Sequence, residues 1–258
     1  MPKKKSKRKP KRSPVSDALG QLSPADRAQF LALLEARGMQ GGGLASASAD
    51  GVVRRQRHPS RRTPTYYRVR VDLDGARPPI WRRLDLASDL RLDQVHEVLQ
   101  VAFRWGGHHL HEFYGDGPRW EAERFLSGFQ LDDAEDGTPE TGVHLEQVMH
   151  SPGDRLHYWY DFGDDWDHTL KLEEVMPRDG DAPQARVVAG RRAAPPDDCG
   201  GVPGYEELLE ILADPAHPAH AERSEWFEMC SGIEAARDFD PARVDLQVLD
   251  IDVQEMVG

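Results

Sequence analysis

No run of about 18 apolar residues occurs in this 258-residue chain, which argues against a transmembrane helix. The longest apolar run near the start is Phe30 to Leu34, so the basic N-terminus is not followed by the apolar core of a secretory signal. Cysteine is scarce. Cys199 and Cys230 are too few for a disulfide framework. Apolar residues reach only 38%, while Gly (23) and Pro (19) are frequent, so a sizeable share of the chain should be loop or tail. The sequence also lacks G-x-S-x-G, Walker A, HExxH and CxxC, and with them the signals for several hydrolase, nucleotide and zinc sites. No internal repeat is visible. The simplest expectation is a cytoplasmic protein with no membrane partner.

Charge is abundant and unevenly placed. Residues 1–62 carry 15 Lys/Arg against 4 Asp/Glu, a surplus of 11 positive charges. Residues 63–258 carry 18 against 41, an excess of 23 negative charges, and the whole chain stands at −12. A basic arm on an acidic body follows. Lys3, Lys4, Lys5, Lys7, Arg8, Lys9, Lys11 and Arg12 crowd a Pro-containing stretch with nothing to bury, so residues 1–15 read as a disordered tail. Such a tail can make weak, non-specific phosphate contacts, solubilise the chain, or fold back on the acidic body. Residues 16–63 read as a short helix opening at Ser23-Pro24, then a Gly/Ala/Ser linker and a second basic stretch, Arg54 to Arg62.

From Tyr66 a single domain, residues 64–258, is expected. Tyr67, Val69, Val71 and Leu73 alternate with charged residues, as in a half-buried strand. GARPP turns the chain into a second strand with Ile80, Leu84 and Leu86 inward. Asp89 caps a helix over 91–105, whose Leu92, Val95, Leu99 and Ala102 form its apolar stripe, with Gly106-Gly107 as the stop. HHLHEFYG is a third strand, 115–142 a long loop, and 143–149 a short helix or turn. Residues 156–172 hold two period-two patterns meeting at Gly163-Asp164-Asp165, a hairpin. ARVVAG is a short strand, and helices follow at 205–214 and about 219–231. The last residues, FDPARVDLQVLDIDVQEMV, have weak strand or turn character. The fold class is α+β: a mixed or antiparallel, β-grasp-like sheet on the central helix 91–105, with C-terminal helices.

The chemistry candidates gather in three places. Asp161, Asp164 and Asp165 surround the hairpin tip, where a cation is one reading and turn architecture the simpler one. An EF-hand is excluded, because the run from Asp161 puts Gly163, Trp166 and Leu172 where the loop needs an oxygen ligand, Gly and Glu. His168 shares a strand face with Trp166 and Leu170, as a core-edge histidine would. His109 and His111 lie two apart on the presumed third strand, so they share a face and could chelate a divalent metal, although a third ligand is not adjacent. Cys199, ahead of Gly200-Gly201 and a helix, could carry an acidified thiol or simply occupy a tight turn.

Four stretches taken in order, PPIWRRLDL, LDQVHEVLQVAFRWGGHHLHEF, YWYDFGDDWDHTLKLEEV and DDCGGVPGYEELLEILADP, resemble the plasmid pRiA4b ORF-3-like family. The resemblance covers about residues 64–250. It implies an α+β domain and an association with mobile elements, since some members are described as insertion-element passenger proteins with a resolvase-like name. It supplies no mechanism. A serine recombinase would need an activated serine among arginines and a DNA-binding helix pair, and the acidic body opposes DNA docking. Two functional readings result. One is a non-enzymatic accessory or binding module, its acidic body taking a protein or small ligand and its tail nucleic acid. The other is a metal-dependent hydrolase or nuclease-like enzyme using His109, His111, Asp161, Asp164, Asp165 or His168, with Cys199.

Overall fold

A computed structural model of the chain describes residues 57–133, 136–233 and 235–257. The expected basic tail, the helix after Ser23 and the linker lie outside these residues. Eight strands form one mostly antiparallel sheet in the order β5-β4-β3-β6-β7-β1-β2-β8. They are β1 (Thr65–Leu73), β2 (Trp81–Ala87), β3 (His111–Gly115), β4 (Arg124–Leu126), β5 (Thr138–Pro139), β6 (Arg155–Tyr160), β7 (Trp166–Pro177) and β8 (Ala185–Arg191). Only the β4–β5 pair is parallel. Among the described residues six α-helices accompany them: α1 (Leu92–Phe103), α2 (Gly128–Asp132), α3 (Leu145–Val148), α4 (Gly201–Ala213), α5 (His220–Ser231) and α6 (Leu246–Met256). Among the described residues no helix is long and apolar enough to cross a membrane.

Alternation builds the sheet. Tyr67, Val69, Val71 and Leu73 of β1 are buried, as are Leu84 and Leu86 of β2, and the two strands pair antiparallel as the GARPP turn predicts. Leu156, Tyr158 and Tyr160 of β6 face Trp166, His168 and Leu170 of β7 across the second hairpin. The apolar stripe of α1 (Leu92, Val95, Val98, Leu99, Ala102, Phe103) is fully buried in the same core cluster. Each of these Leu, Val and Phe side chains contributes about 1.5–3 kcal/mol relative to exposure. The charged face of β1 is also ordered: Arg68 grips Asp85 of β2 through Nε and Nη2, at 2.8 and 2.9 Å. The edge of the second basic stretch is tied to the body. Arg57 forks onto Glu123 at 2.7 and 3.0 Å, and Arg61 donates to the Tyr67 hydroxyl at 2.8 Å and the His150 carbonyl at 2.6 Å.

Several expectations are corrected. Asp89 does not cap α1. Arg91 is the N-cap, and the Gln94 side chain accepts from its backbone N–H. The helix ends not at Gly106 but at Arg104, which adopts the left-handed conformation (φ 59°). The stretch 115–142 is not one loop. It carries β4, β5 and α2, whose shortness leaves little periodicity to read. Helix α4 begins at Gly201, ahead of Gly204. The C-terminal stretch expected as strand or turn is helix α6, N-capped by the Asp245 carboxylate on the N–H groups of Gln247 and Val248. Its Val and Ile residues mimic strand propensity, yet the buried Leu249 and Val253 recur at helical spacing. Asp250 then fixes α6 to the edge strand by accepting from the Val187 N–H at 2.8 Å.

Candidate functional site

Three of the sequence stretches singled out above meet at one place: the segment after α1 (WGGHH), the tip of the β6–β7 hairpin (DFGDDW) and the turn into α4 (DDCGG). The hairpin tip is held by its own acids. Asp161, at φ 51°, receives the N–H groups of Gly163 at 3.0 Å and Asp164 at 3.4 Å on one carboxylate oxygen. Asp165, at φ 63°, accepts from the Trp159 indole at 2.7 Å. Left-handed backbone at aspartate is tolerated where a short polar side chain bonds locally. Asp161 is 6% exposed and folded into its turn.

The α4 turn is clasped onto that tip. Asp164 accepts from the Gly200 N–H at 3.0 Å. A Cβ on Gly201 (φ 70°) would stand 2.4 Å from the Asp164 carbonyl oxygen, and one on Gly204 would stand 2.0 Å from the Cys199 carbonyl oxygen. Only glycine allows these approaches. On the other side Asp197 accepts from the Gly106 N–H at 2.9 Å and from the Tyr160 hydroxyl at 3.2 Å. Carboxylates of two connecting segments thus hold the helix end, the hairpin and the α4 turn together.

His109 and His111 separate. His109 precedes β3, half-buried, with Nδ1 at 3.7 Å from Asp161 and Nε2 at 3.5 Å from Asp198. His111 lies on β3, where its Nε2 meets Glu140 at 2.9 Å and its ring stacks on His96 at 3.5 Å between centroids. The two rings pack against Tyr160 and Tyr158, neighbours on one face of β6, yet their nitrogens take different acids: Asp161 and Asp198 for His109, Glu140 for His111. Burial, then the charge of His111 beside it, pushes His96 down to about 3. His168 is fully buried, as the core reading expected. Its Nδ1 lies 3.2 Å from the Tyr158 carbonyl and 3.1 Å from that of Trp166, and burial lowers its pKa to about 4. Cys199 is 4% exposed, and burial first, then the Asp164 charge, pushes its thiol up to about 12. This is the opposite of an activated nucleophile.

Among the described residues one group of three could approach an ion: His109, Asp161 and Asp198 offer ligand atoms all within 4.8 Å of one another. Its two shortest His contacts use opposite ring nitrogens, so the imidazole stands between the carboxylates as a bridge. A single ion takes one nitrogen per imidazole, and tetrahedral zinc needs ligands at about 2.0–2.2 Å. The trio would have to contract, and Asp198 to swing, to close on a cation. Asp197 and Asp198 were not singled out from sequence, although they directly precede Cys199 in a stretch that was; their signal was the paired acid ahead of Cys199 and two glycines.

The model of the plasmid pRiA4b ORF-3-like protein family matches residues 65–248. The chain belongs to that family. An uncharacterised relative from Sinorhizobium fredii, y4hQ, is 35% identical over 197 residues, spanning 74% of this chain and 92% of its own. A crystal structure of a protein of unknown function from Methanosarcina mazei Go1, MM3350, is similar in fold, with a TM-score of 0.61 and 29% identity over 72% of this chain and 98% of its own. In this pRiA4b ORF-3-like chain the matched region spans the whole sheet, α1 and the junction of the three stretches.

Proposed function

We propose that this pRiA4b ORF-3-like protein is a non-catalytic binding protein, cytoplasmic and accessory to a mobile element. One observation carries the reading. The acids and imidazoles that resemble catalytic equipment are engaged with backbone N–H groups, aromatic donors and one another, and the thiol among them is held protonated. The acidic body, with its 23 surplus negative charges over residues 63–258, suits a cationic protein surface. The basic tail adds weak phosphate contacts, and the wrap of the sheet on α1 is β-grasp-like. The family description names a plasmid reading frame, in keeping with the mobile-element link.

The test has two arms. Full-length protein binds duplex DNA with an affinity that falls steeply with salt, and deletion of residues 1–15 abolishes it; unchanged binding after deletion removes the tail from the reading. Incubation with DNA or bis-p-nitrophenyl phosphate plus Mg²⁺, Mn²⁺ or Zn²⁺ gives no turnover above buffer. Turnover lost in His109→Ala would instead establish the second reading, a divalent-metal hydrolase. That reading has one observation in its favour, the approach of His109, Asp161 and Asp198.

A further inference from the structure

The buried side of β2 carries an arginine. Alternation puts Arg82 inward with Ile80, Leu84 and Leu86, and it is 1% exposed. Its Nε donates to the Ala102 carbonyl at 2.8 Å, at the C-terminal end of α1. Its Nη1 reaches the carbonyls of Trp81, Arg191 and Arg192 at 3.0–3.3 Å. These bonds saturate Nε and Nη1. Nη2 has no hydrogen-bond partner among the described residues, and no carboxylate pairs with the guanidinium there. Burial first, then the neighbouring Arg104, lower its pKa to about 10, so it stays charged at neutral pH. An arginine buried without an anion is costly, and carbonyl dipoles only partly offset that cost.

Arg82 lines a cavity of about 490 Å³ between the end of α1, the 193–197 connector, α5 and the segment leading to α6. This is the size of a small-molecule site. Phe103, Phe227, Phe239 and Leu249 supply apolar walls, and the Phe227 and Phe239 rings pack 4.7 Å apart. Arg104 and Arg243 also line it. Four aspartates share the lining. Asp197, Asp240 and Asp245 are engaged with backbone N–H groups, and Asp238 is 3.9 Å from Arg237. Their field opposes a dianion more than a monoanion.

We infer that this cavity binds a monocarboxylate with an apolar body, its carboxylate on the open side of the Arg82 guanidinium and its tail against the phenylalanines. The inference goes beyond the proposed function and stands or falls separately, since Asp197, which lies in both places, is engaged with Gly106 and Tyr160 and is not the proposed ligand contact.

Isothermal titration with decanoate, decan-1-ol and decyl phosphate tests it on the full chain. Saturable decanoate binding is expected, about ten-fold or more tighter than decan-1-ol, as a charge-assisted guanidinium contact requires. Decyl phosphate should bind more weakly than decanoate. Val244→Trp intrudes on the cavity and should weaken decanoate binding while leaving the far-UV spectrum unchanged. Arg82→Met should bring decanoate down to the affinity of decan-1-ol. Absence of saturable decanoate binding, equal affinity for the alcohol, preference for the phosphate, or unchanged binding by Val244→Trp would each overturn the inference. If Arg82→Met does not fold, the ligand series on the natural chain and Val244→Trp decide alone.

Discussion

The hairpin junction and the Arg82 cavity are opposites. The junction is dense in aspartate, histidine and a thiol, the residue types from which active sites are built, and its carboxylates hold backbone and aromatic donors. The cavity has one inward arginine beside apolar walls, with a donor nitrogen left open and the aspartates of the lining engaged elsewhere. The contrast teaches that density of reactive residue types can mark a place where the chain is held together, while the sparser site holds a buried charge met only by carbonyl dipoles and the Phe103 ring among the described residues. Asp164 on Gly200 and Asp197 on Gly106 are intramolecular versions of contacts a ligand would otherwise make. Arg82 has no carboxylate of that kind within the described fold.

That contrast can be broken most forcefully at the glycines. Gly204→Ala would drive a Cβ into the Cys199 carbonyl. We expect a stability loss of about 3 kcal/mol or more, read from urea unfolding. A near-neutral result would mean that the α4 turn is not clasped as described.

Acid should act next. His168 is held near 4 when folded against about 6.5 unfolded, so the unfolded chain takes up the proton first as pH falls. Stability from this group is present above about 6.5 and is lost as pH drops toward 4, on the order of 3 kcal/mol over the window. His96 acts in the same direction. Urea midpoints at pH 7 and pH 5 check the sign; a rise at pH 5 would contradict the buried neutral imidazoles.

Asp164→Ala removes the acceptor for the Gly200 N–H and should cost about 2 kcal/mol with no change in decanoate affinity. A matching loss of ligand binding would couple the two regions and blunt the contrast. The smallest effect is expected from His109→Ala, within about 1 kcal/mol, because its contacts to Asp161 and the exposed Asp198 are long and partly screened.

Much of the sheet was legible because alternation is a local property: Tyr67 to Leu73 and Leu156 to Leu172 declare their buried faces without reference to partners. Helix α6 was not, since β-branched Val248, Ile251 and Val253 argue for strand and only packing on β8 and α1 decides. At the site, Cys199 and the aspartates were visible, but their roles depend on which backbone N–H comes near, and that is set by residues roughly 36 and 91 positions apart in chain. His109 and His111 look equivalent in sequence and differ in their acid partners, which come from segments far apart in the chain. Arg82 was readable from its own alternation with Ile80, Leu84 and Leu86. It was passed over because an arginine in a strand is expected to face solvent.

The most direct test of the junction as a structural tie is the metal content of purified protein. The natural chain and His109→Ala are each dialysed against Zn²⁺ or Mn²⁺ and then against metal-free buffer, and analysed for elements. Sub-stoichiometric metal, the same in both, is the expected result. A stoichiometric ion retained by the natural chain and lost in His109→Ala would contradict it, and would make His109, Asp161 and Asp198 a metal centre.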